Sequence, residues 1–229
     1  MTRKNPSNCF VLLPGFSPDN FPVLELKRML EARGHAAVAS SFYGTEIMRD
    51  LSRLTMKDCL QNLSRTVRDA KKNHDRVFGI GISLGAAILL EHAKKENNLD
   101  GIVSIGTPFK LKHQKLIRLG QIPVPLVKPF WRVAGKFKKW RLPPIAAAKV
   151  VLNFLRKEFT ANLESITVPT LFFHSKKDGV TDYRVVQEFS DRMASPKKKI
   201  IFFDNVGHVI NGHTEKVLKN IFEFFELPD

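Results

Sequence analysis

The chain has 229 residues, a length that fits one domain able to bury roughly 70% of its unfolded surface without a disulfide or metal. Its 43% hydrophobic content is ordinary for a globular protein, and no stretch approaches the roughly 18 continuous apolar residues that a membrane span needs. The formal net charge is +15, and the two cysteines are Cys9 and Cys59. We expect a cytoplasmic protein with two buried thiols, because the first residues also lack an apolar signal core.

Strand-like and helix-like segments alternate along the chain. The predicted strands are, in order, CFVLLPG, HAAVAS, RVFGIGI, LDGIVSIG, TLFFHS and KIIFFD. The predicted helices are NFPVLELKRMLEARG, TMKDCLQNLSRTVRDAKKN, LGAAILLEHAKKE, YRVVQEFSDRM and EKVLKNIFEFFE. This alternation is typical of βαβ units. It predicts an α/β fold, with a mostly parallel sheet of about six strands flanked by helices.

Residues 107–160, which we call the basic insertion, interrupt this alternation. They contain six prolines and both tryptophans, Trp131 and Trp140. From Gly101 to Lys157 there are 13 basic residues and no Asp or Glu, whereas the rest of the chain has 24 basic and 22 acidic residues. Connections in α/β folds are usually short, and a long one usually has a function. We therefore predict that the basic insertion is a helical cap.

The charge of the basic insertion indicates an anionic partner, although a solvated basic face without a partner is an alternative. Tryptophans among lysines and arginines are typical of membrane interfaces, so docking to an anionic membrane surface is our hypothesis. Nucleic acid or an acidic protein would be attracted by the same charge. No known nucleic-acid motif is visible, and we expect no specific nucleic-acid partner.

A single serine lies at the junction between the third predicted strand and the helix after it, in the pentapeptide Gly81-Ile82-Ser83-Leu84-Gly85. A sharp strand-to-helix turn exposes its central residue, and flanking glycines let the strand and helix approach closely. The N–H groups at the helix start also favour negative charge. This arrangement is typical of a nucleophile elbow, so we predict Ser83 as the nucleophile. A structural Gly/Ser turn is the alternative.

A nucleophilic serine needs a base and a carboxylate that orients the base. At an elbow of this kind the chain order is serine, acid, histidine. Asp178 and His208 each come directly after a predicted strand, at the edge where open α/β sheets build their sites. The alternatives are Asp182, a candidate N-cap, and His213, near the last helix. The other histidines are interpreted as surface or packing residues: His35, His74, His92, His113 and His174.

The proposed chemistry also needs two N–H groups that face the developing negative oxygen. Leu84 supplies one, at the start of the helix. Phe16 is the expected second donor, because Gly15 permits a close backbone approach after the first strand. A plain turn at Pro14-Gly15 is the alternative.

Four segments, LLPGF, GISLG, HSKKDGVT and VGHVI, occur in the order and spacing of the α/β-hydrolase superfamily. The chain resembles compact carboxylesterases and monoacylglycerol-lipase-like enzymes with small helical caps. The resemblance implies one domain over residues 1–229, a minimal six-stranded core, and no metal or cofactor. It also implies a Ser83, His208 and Asp178 triad with Phe16 and Leu84 as oxyanion donors. Many relatives have His-Gly where this chain has Pro-Gly, which keeps the glycine.

The reaction class expected from these residues is hydrolysis of carboxylic esters through an acyl-enzyme. The substrate would be a small or lipid-derived ester. Three aromatic residues near the start or middle of the basic insertion, Phe109, Phe130 and Trp131, are candidates to line an acyl pocket, with packing inside the insertion as the alternative. A thioesterase or acyl-protein hydrolase would use the same triad. A non-catalytic binding protein of the same fold is a further alternative.

Overall fold

A computed structural model of the protein describes residues 7–16, 21–40, 55–112 and 145–228. Within these ranges, six strands form one parallel sheet in the order β2-β1-β3-β4-β5-β6, which confirms the predicted α/β class. Their bounds are β1 (Asn8–Leu13), β2 (Ala36–Ala39), β3 (Arg76–Ile82), β4 (Gly101–Ile105), β5 (Thr170–Ser175) and β6 (Lys198–Phe203). The winding direction reverses between β1 and β3. In open α/β sheets, ligands bind at the carboxyl edge near such a reversal.

The helices largely follow the predicted segments. Their bounds are α1 (Phe21–Ala32), α2 (Met56–Asn73), α3 (Leu84–Lys95), α4 (Ile145–Lys157), α5 (Val186–Asp191) and α6 (Thr214–Phe225). The exception is YRVVQEFSDRM, which was predicted as one helix. It forms a 3₁₀ turn over Tyr183–Val185, capped by the Asp182 carboxylate, which accepts the N–H of Arg184, and then the short α5. Such 3₁₀ turns are frequent at the ends of α-helices.

The sheet is covered by helices on both faces, and the alternation of β1 shows why. Cys9, Val11 and Leu13 face the side packed with α2, α3 and α4. Phe10 and Leu12 face the side packed with α1 and α6. A strand buried on both faces must be apolar at successive positions, as β1 is from Cys9 to Leu13.

Both cysteine thiols lie inside the protein, as predicted. Cys9 and Cys59 are free and belong to the same core cluster. Burial raises the pKa of Cys9 to about 11 and that of Cys59 to about 12. Both thiols are therefore protonated near neutral pH and chemically inert, which is the behaviour of structural cysteines.

Both ends of the basic insertion are described, and each is attached to the body. At its start, Leu111 pairs with Thr181 in an antiparallel bridge. At its end, α4 packs Val151 and Phe154 into the core. Residues 113–144 lie outside the described residues, and with them Phe130, Trp131 and Trp140. The helical cap, its bounds at 107–160 and the single domain over 1–229 thus stay predictions.

Among the helices in the described ranges, none is both long enough and apolar enough to cross a membrane.

Candidate active site

Ser83 lies at a sharp turn between β3 and α3. Its backbone has φ 52° and ψ −113°, a conformation that residues other than glycine rarely adopt. The turn is held by the Ser83 N–H, which donates to the carbonyl oxygen of Ile105 at 2.8 Å, on the neighbouring strand β4. Such strain persists only where the surroundings enforce it, and it is common at functional sites. The predicted elbow is thus present in the backbone.

The two glycines of the elbow are needed for space. A Cβ atom on Gly81 would lie 2.5 Å from the Ala86 nitrogen, inside the first turn of α3. A Cβ atom on Gly85 would lie 2.5 Å from the carbonyl oxygens of both Leu13 and Pro14. The strand, the helix and the segment after β1 therefore meet with backbone against backbone.

Gly85→Ala should destabilise the protein and reduce its activity. The added methyl group must push the Leu13 and Pro14 backbone away, because backbone atoms cannot rotate aside. We expect a loss of about 1–3 kcal/mol in the free energy of unfolding, as for other overpacked sites. Denaturant unfolding measures the loss. Gly179→Ala is the control for stability, since nothing lies within 4 Å of a Cβ there. Equal stability of the two variants would contradict the prediction.

His208 lies in the loop after β6 and reaches Ser83. Its Nε2 atom is 2.8 Å from the Ser83 Oγ atom. The ring lies over Gly106, which has φ +62° and follows β4. A Cβ atom at Gly106 would lie 2.8 Å from the His208 carbonyl oxygen and 3.1 Å from its Cε1 atom. Gly106 thus leaves the space in which His208 can reach the serine.

Asp178 lies in the loop after β5, fully buried behind His208. Its Oδ2 atom is 2.7 Å from the His208 Nδ1 atom. Its Oδ1 atom accepts the N–H groups of Val180 at 2.7 Å and Thr181 at 2.9 Å. Oδ1 is thus held by the loop itself, which leaves Oδ2 for the histidine.

Asp178 is ionised although it is buried. Burial alone would raise the pKa of this carboxyl, but the hydrogen bonds from His174, His208 and Thr181 outweigh it. They hold the pKa of Asp178 well below its usual range. A negative charge therefore faces the His208 Nδ1 atom near neutral pH.

Two residues at the acid were missed by sequence reasoning. The Thr181 Oγ atom donates to Asp178 Oδ2 at 2.6 Å. The His174 Nε2 atom is 2.8 Å from Thr181 Oγ and 3.3 Å from Asp178 Oδ2. His174 was interpreted as a surface or packing residue; it is fully buried, and it also contacts Asp178. The available signal was its position at the end of a strand, four residues before Asp178.

The two alternative residues lie elsewhere. Asp182 caps the 3₁₀ turn and pairs with Arg184 through two 2.8 Å contacts. These contacts lower the pKa of Asp182 to about 2. His213 occupies the N-cap position of α6, with its ring 5.3 Å from that of Phe203. The structure brings Asp178 and His208, and neither alternative, to Ser83.

The predicted oxyanion donors lie on either side of the serine. Leu84 is the first residue of α3, where backbone N–H groups have no acceptor within the helix. Phe16 follows Gly15, whose backbone is so close that a Cβ atom there would lie 3.5 Å from the Ser83 Cβ atom. Both segments thus lie next to Ser83, and the role of Phe16 and Leu84 as oxyanion donors stays a prediction.

The predicted acyl-pocket residues are only partly described. Phe109 is 4% exposed, stacked on Phe159 at 5.3 Å and on Phe189 at 4.8 Å between ring centroids. It is therefore packed in the core, and its role in a pocket stays a prediction. Phe130 and Trp131 lie outside the described residues. Within the described ranges, no group of His, Cys, Asp and Glu side chains is arranged to hold a metal ion.

Comparison with known proteins agrees with this fold. Residues 10–219 match the Alpha/beta hydrolase family, and the chain belongs to that family. A carboxylesterase of Bacillus subtilis (strain 168) is 21% identical over 240 residues, covering 100% of this chain and 96% of that protein.

Solved structures of the same fold include lipolytic enzymes. A chain from the metagenome-derived lipolytic enzymes LipS and LipT superposes with a TM-score of 0.77 at 18% identity, covering 97% of this chain and 94% of that one. A soluble variant of monoglyceride lipase from Saccharomyces cerevisiae, in complex with a substrate analog, gives 0.73 at 15% identity, covering 98% and 88%. At these identities the likeness establishes the fold.

Proposed function

We propose that the protein is a serine hydrolase that cleaves carboxylic esters through an acyl-enzyme intermediate. One observation carries the proposal: a continuous chain of contacts joins Ser83 Oγ to His208 Nε2 at 2.8 Å and His208 Nδ1 to Asp178 Oδ2 at 2.7 Å. A nucleophile, a base and a group that orients the base are the parts that acyl transfer needs. The family and the carboxylesterase relative support the same reaction class.

In the first half of the reaction, Ser83 Oγ attacks the ester carbonyl carbon while His208 Nε2 accepts the serine proton. The carbonyl oxygen becomes negative and accepts hydrogen bonds from the N–H groups of Phe16 and Leu84. Asp178 stabilises the positive charge on His208. The tetrahedral intermediate then collapses, the bond to the alcohol oxygen breaks, and His208 gives its proton to the departing alcohol.

The second half repeats this chemistry with water. His208 Nε2 removes a proton from a water molecule, whose oxygen attacks the acyl carbon bound to Ser83. The second tetrahedral intermediate uses the same two N–H donors. When it collapses, the bond to Ser83 Oγ breaks, the serine regains its proton from His208, and the carboxylic acid leaves. The His208 Nδ1 atom, which faces Asp178, stays protonated throughout both halves of the reaction.

The substrate class we propose is a small or lipid-derived ester. The support is the likeness to a carboxylesterase and to lipolytic enzymes and a monoglyceride lipase. A hydrolysis series with nitrophenyl esters from acetate through octanoate to palmitate tests the acyl preference. Thioesters of the same acyl groups, assayed in parallel, test the leaving group. Oxygen esters should be cleaved with the higher kcat/KM.

The result of this series is read together with covalent labelling. An unreactive protein, with no ester or thioester hydrolysed and no labelling by a fluorophosphonate, would overturn the proposed function. Preferential cleavage of thioesters would keep the triad chemistry but overturn the substrate class.

We also propose that the basic insertion draws the enzyme to an anionic membrane surface. Its described start is anchored at the acid loop: Lys112 N–H donates to the Val180 carbonyl at 2.9 Å, and Asp182 N–H donates to the Lys110 carbonyl at 2.8 Å. The 13 positive charges between Gly101 and Lys157 thus begin next to the proposed triad. A basic residue near an anionic surface contributes about 1 kcal/mol. Docking there would concentrate a lipid-derived substrate at the site.

This docking predicts salt-dependent binding to anionic vesicles and none to neutral vesicles. Binding should fade as the screening length shortens from about 10 Å at 0.1 M salt to about 3 Å at 1 M. Co-sedimentation measures it. A fourfold glutamine variant should weaken binding and keep hydrolysis of a small soluble ester. Its positions are Lys136, Lys138, Lys139 and Arg141, which lie outside the described residues.

A matched control removes four charges from the body instead. Its positions are the exposed Lys57, Lys72, Lys95 and Lys219, all changed to glutamine. If the insertion is the docking surface, the control binds as the wild type does. Equal loss in both variants would indicate a general effect of net charge, and absence of binding at low salt would remove the membrane proposal.

A further inference from the structure

We propose that His174 is a positioning residue of the triad: it donates its Nε2 proton to Thr181 and so directs the Thr181 hydroxyl proton onto Asp178. The inference rests on the proposed function, because it concerns the orientation of the proposed acid. The residues form one line of contacts. His174 Nε2 lies 2.8 Å from Thr181 Oγ, which lies 2.6 Å from Asp178 Oδ2, which lies 2.7 Å from His208 Nδ1.

The direction of the protons follows from counting donors. The Thr181 hydroxyl has one proton, and the ionised Asp178 carboxylate can only accept. When Thr181 donates to Asp178, its oxygen is left to accept from His174 Nε2. The His174 Nε2 atom must then carry the proton, which also points toward Asp178 Oδ2 at 3.3 Å. The opposite tautomer would place a nitrogen lone pair against a carboxylate oxygen.

The burial of His174 argues against a role in packing alone. The residue is fully buried, and its Nδ1 atom has no hydrogen-bond partner among the described residues. An unpaired buried polar atom is unfavourable, and an apolar side chain of the same size would avoid that cost. In the tautomer with the proton on Nε2, the Nδ1 atom has a lone pair and no proton, so it is an acceptor without a partner and not a donor without one. The one polar contribution that His174 makes within the described structure is its Nε2 proton.

The contact between His174 and Thr181 affects the proposed catalysis through the Oδ2 atom of Asp178. This oxygen receives donors from His208, from Thr181 and, at longer distance, from His174. These donors fix its position and share its negative charge. If His174 is lost, the Thr181 hydroxyl is free to rotate away. Oδ2 then has more charge left for His208, which holds its proton more tightly and takes the Ser83 proton in a less well-defined geometry.

Other charged groups lie near Asp178, and substitutions at position 174 leave them unchanged. The Lys112 ammonium donates to the main-chain carbonyl of Asp178, and Asp182 follows Thr181 in the same loop. Lys110 lies 3.9 Å from Asp182. None of these contacts includes the His174 ring, so changes at position 174 do not remove them directly.

The test compares two substitutions at position 174 in the full chain. His174→Gln keeps an N–H donor near the Nε2 position, whereas His174→Leu removes it. With a soluble nitrophenyl ester, we expect His174→Leu to lower kcat/KM about tenfold or more, the size of a lost hydrogen bond to a charged network. The loss should be in kcat rather than KM. His174→Gln should recover most of it.

Two further readouts separate positioning from a general loss of structure. The acid limb of the pH profile of kcat/KM should move to higher pH in His174→Leu and return in His174→Gln. In a double-mutant cycle, Thr181→Val should remove most of the effect of His174→Leu, since His174 acts through Thr181. His174→Met replaces His174→Leu if the latter does not fold, because methionine fills irregular space.

The outcomes distinguish this inference from the proposed function. An inactive wild-type protein that a fluorophosphonate does not label overturns the proposed function and the inference with it. With an active wild type, the inference is overturned if His174→Leu keeps wild-type kcat and acid limb, or if His174→Gln is as impaired as His174→Leu. Full additivity with Thr181→Val overturns the route through Thr181. Recovery in His174→Gln, with the acid limb restored, supports it.

Discussion

Ser83→Ala should abolish both ester hydrolysis and covalent labelling by a fluorophosphonate. In the proposed mechanism Ser83 is the nucleophile, and its Oγ atom is the atom that His208 Nε2 contacts at 2.8 Å. In a well-studied hydrolase, loss of the triad serine costs about 10⁶ in kcat. The measurement is the initial rate on a soluble ester, with labelling followed by mass spectrometry of the peptide that contains residue 83.

The control for this variant is Ser165→Ala. Ser165 is an exposed serine in a 3₁₀ turn, where its hydroxyl donates to the Asn162 carbonyl at 2.8 Å. It should keep wild-type hydrolysis and labelling. Labelling that persists in Ser83→Ala would show that a different residue reacts, and the elbow assignment would be wrong.

Ser83→Gly supplies a second comparison. The backbone at φ 52° and ψ −113° is strained for alanine as well as for serine, whereas glycine adopts it readily. Ser83→Gly should therefore be as inactive as Ser83→Ala, but its free energy of unfolding should be higher than that of Ser83→Ala by about 1 kcal/mol. Both variants lack the hydroxyl, and only Ser83→Ala keeps the backbone strain. Equal loss of activity in the two variants would therefore come from the missing hydroxyl and not from a change in stability.

Local signals in the sequence are sufficient to place the three residues of the proposed triad at one edge of the sheet. RVFGIGI, TLFFHS and KIIFFD each read as a buried strand, and Ser83, Asp178 and His208 come after them in turn. Parallel strands have their carboxyl ends at the same edge, so the residues that follow them are neighbours in space. Six strands and the helices between them follow from the same alternation.

The surroundings of Asp178 could not be predicted in this way. All six positions of TLFFHS, His174 among them, are buried, and a buried histidine on an apolar strand is most simply a packing residue. Its contact with Thr181 depends on how the loop after β5 turns back. That turn is set by the two N–H groups that Asp178 Oδ1 accepts and by the bridge between Leu111 and Thr181. The second of these joins segments that are far apart in sequence.

The length of the helix after Asp182 was misjudged for a related reason. The sequence pattern of YRVVQEFSDRM suits a helix, but the first turn after Asp182 is a 3₁₀ turn, as is frequent at helix ends. There the Asp182 carboxylate accepts the Arg184 N–H and pairs with the Arg184 guanidinium. Propensity describes each residue alone, whereas the start of a helix depends on which side chain accepts which N–H.

Asp178→Asn should lower kcat by up to about 10⁴, the size of the effect of the orienting acid in a serine protease. The amide oxygen can replace Oδ1 and keep the two N–H groups of the loop. The amide nitrogen then replaces Oδ2 and presents a donor to His208 Nδ1. His208 must then adopt the tautomer that has its proton on Nε2. That nitrogen faces Ser83 Oγ and, once protonated, can no longer accept the serine proton.

The matched control is Asp182→Asn, the same chemical change four residues further on. Asn is as good an N-cap as Asp, so the turn at Arg184 is kept. The lost ion pair has an exposed Arg184 as its partner, and such pairs contribute at most about 1 kcal/mol. Asp182→Asn should therefore keep nearly all its activity and stability. Both variants should also fold, since neither changes the size of a side chain. If Asp182→Asn were inactive and Asp178→Asn active, the acid would be Asp182, and the line of contacts from His174 to Ser83 would have no part in the reaction.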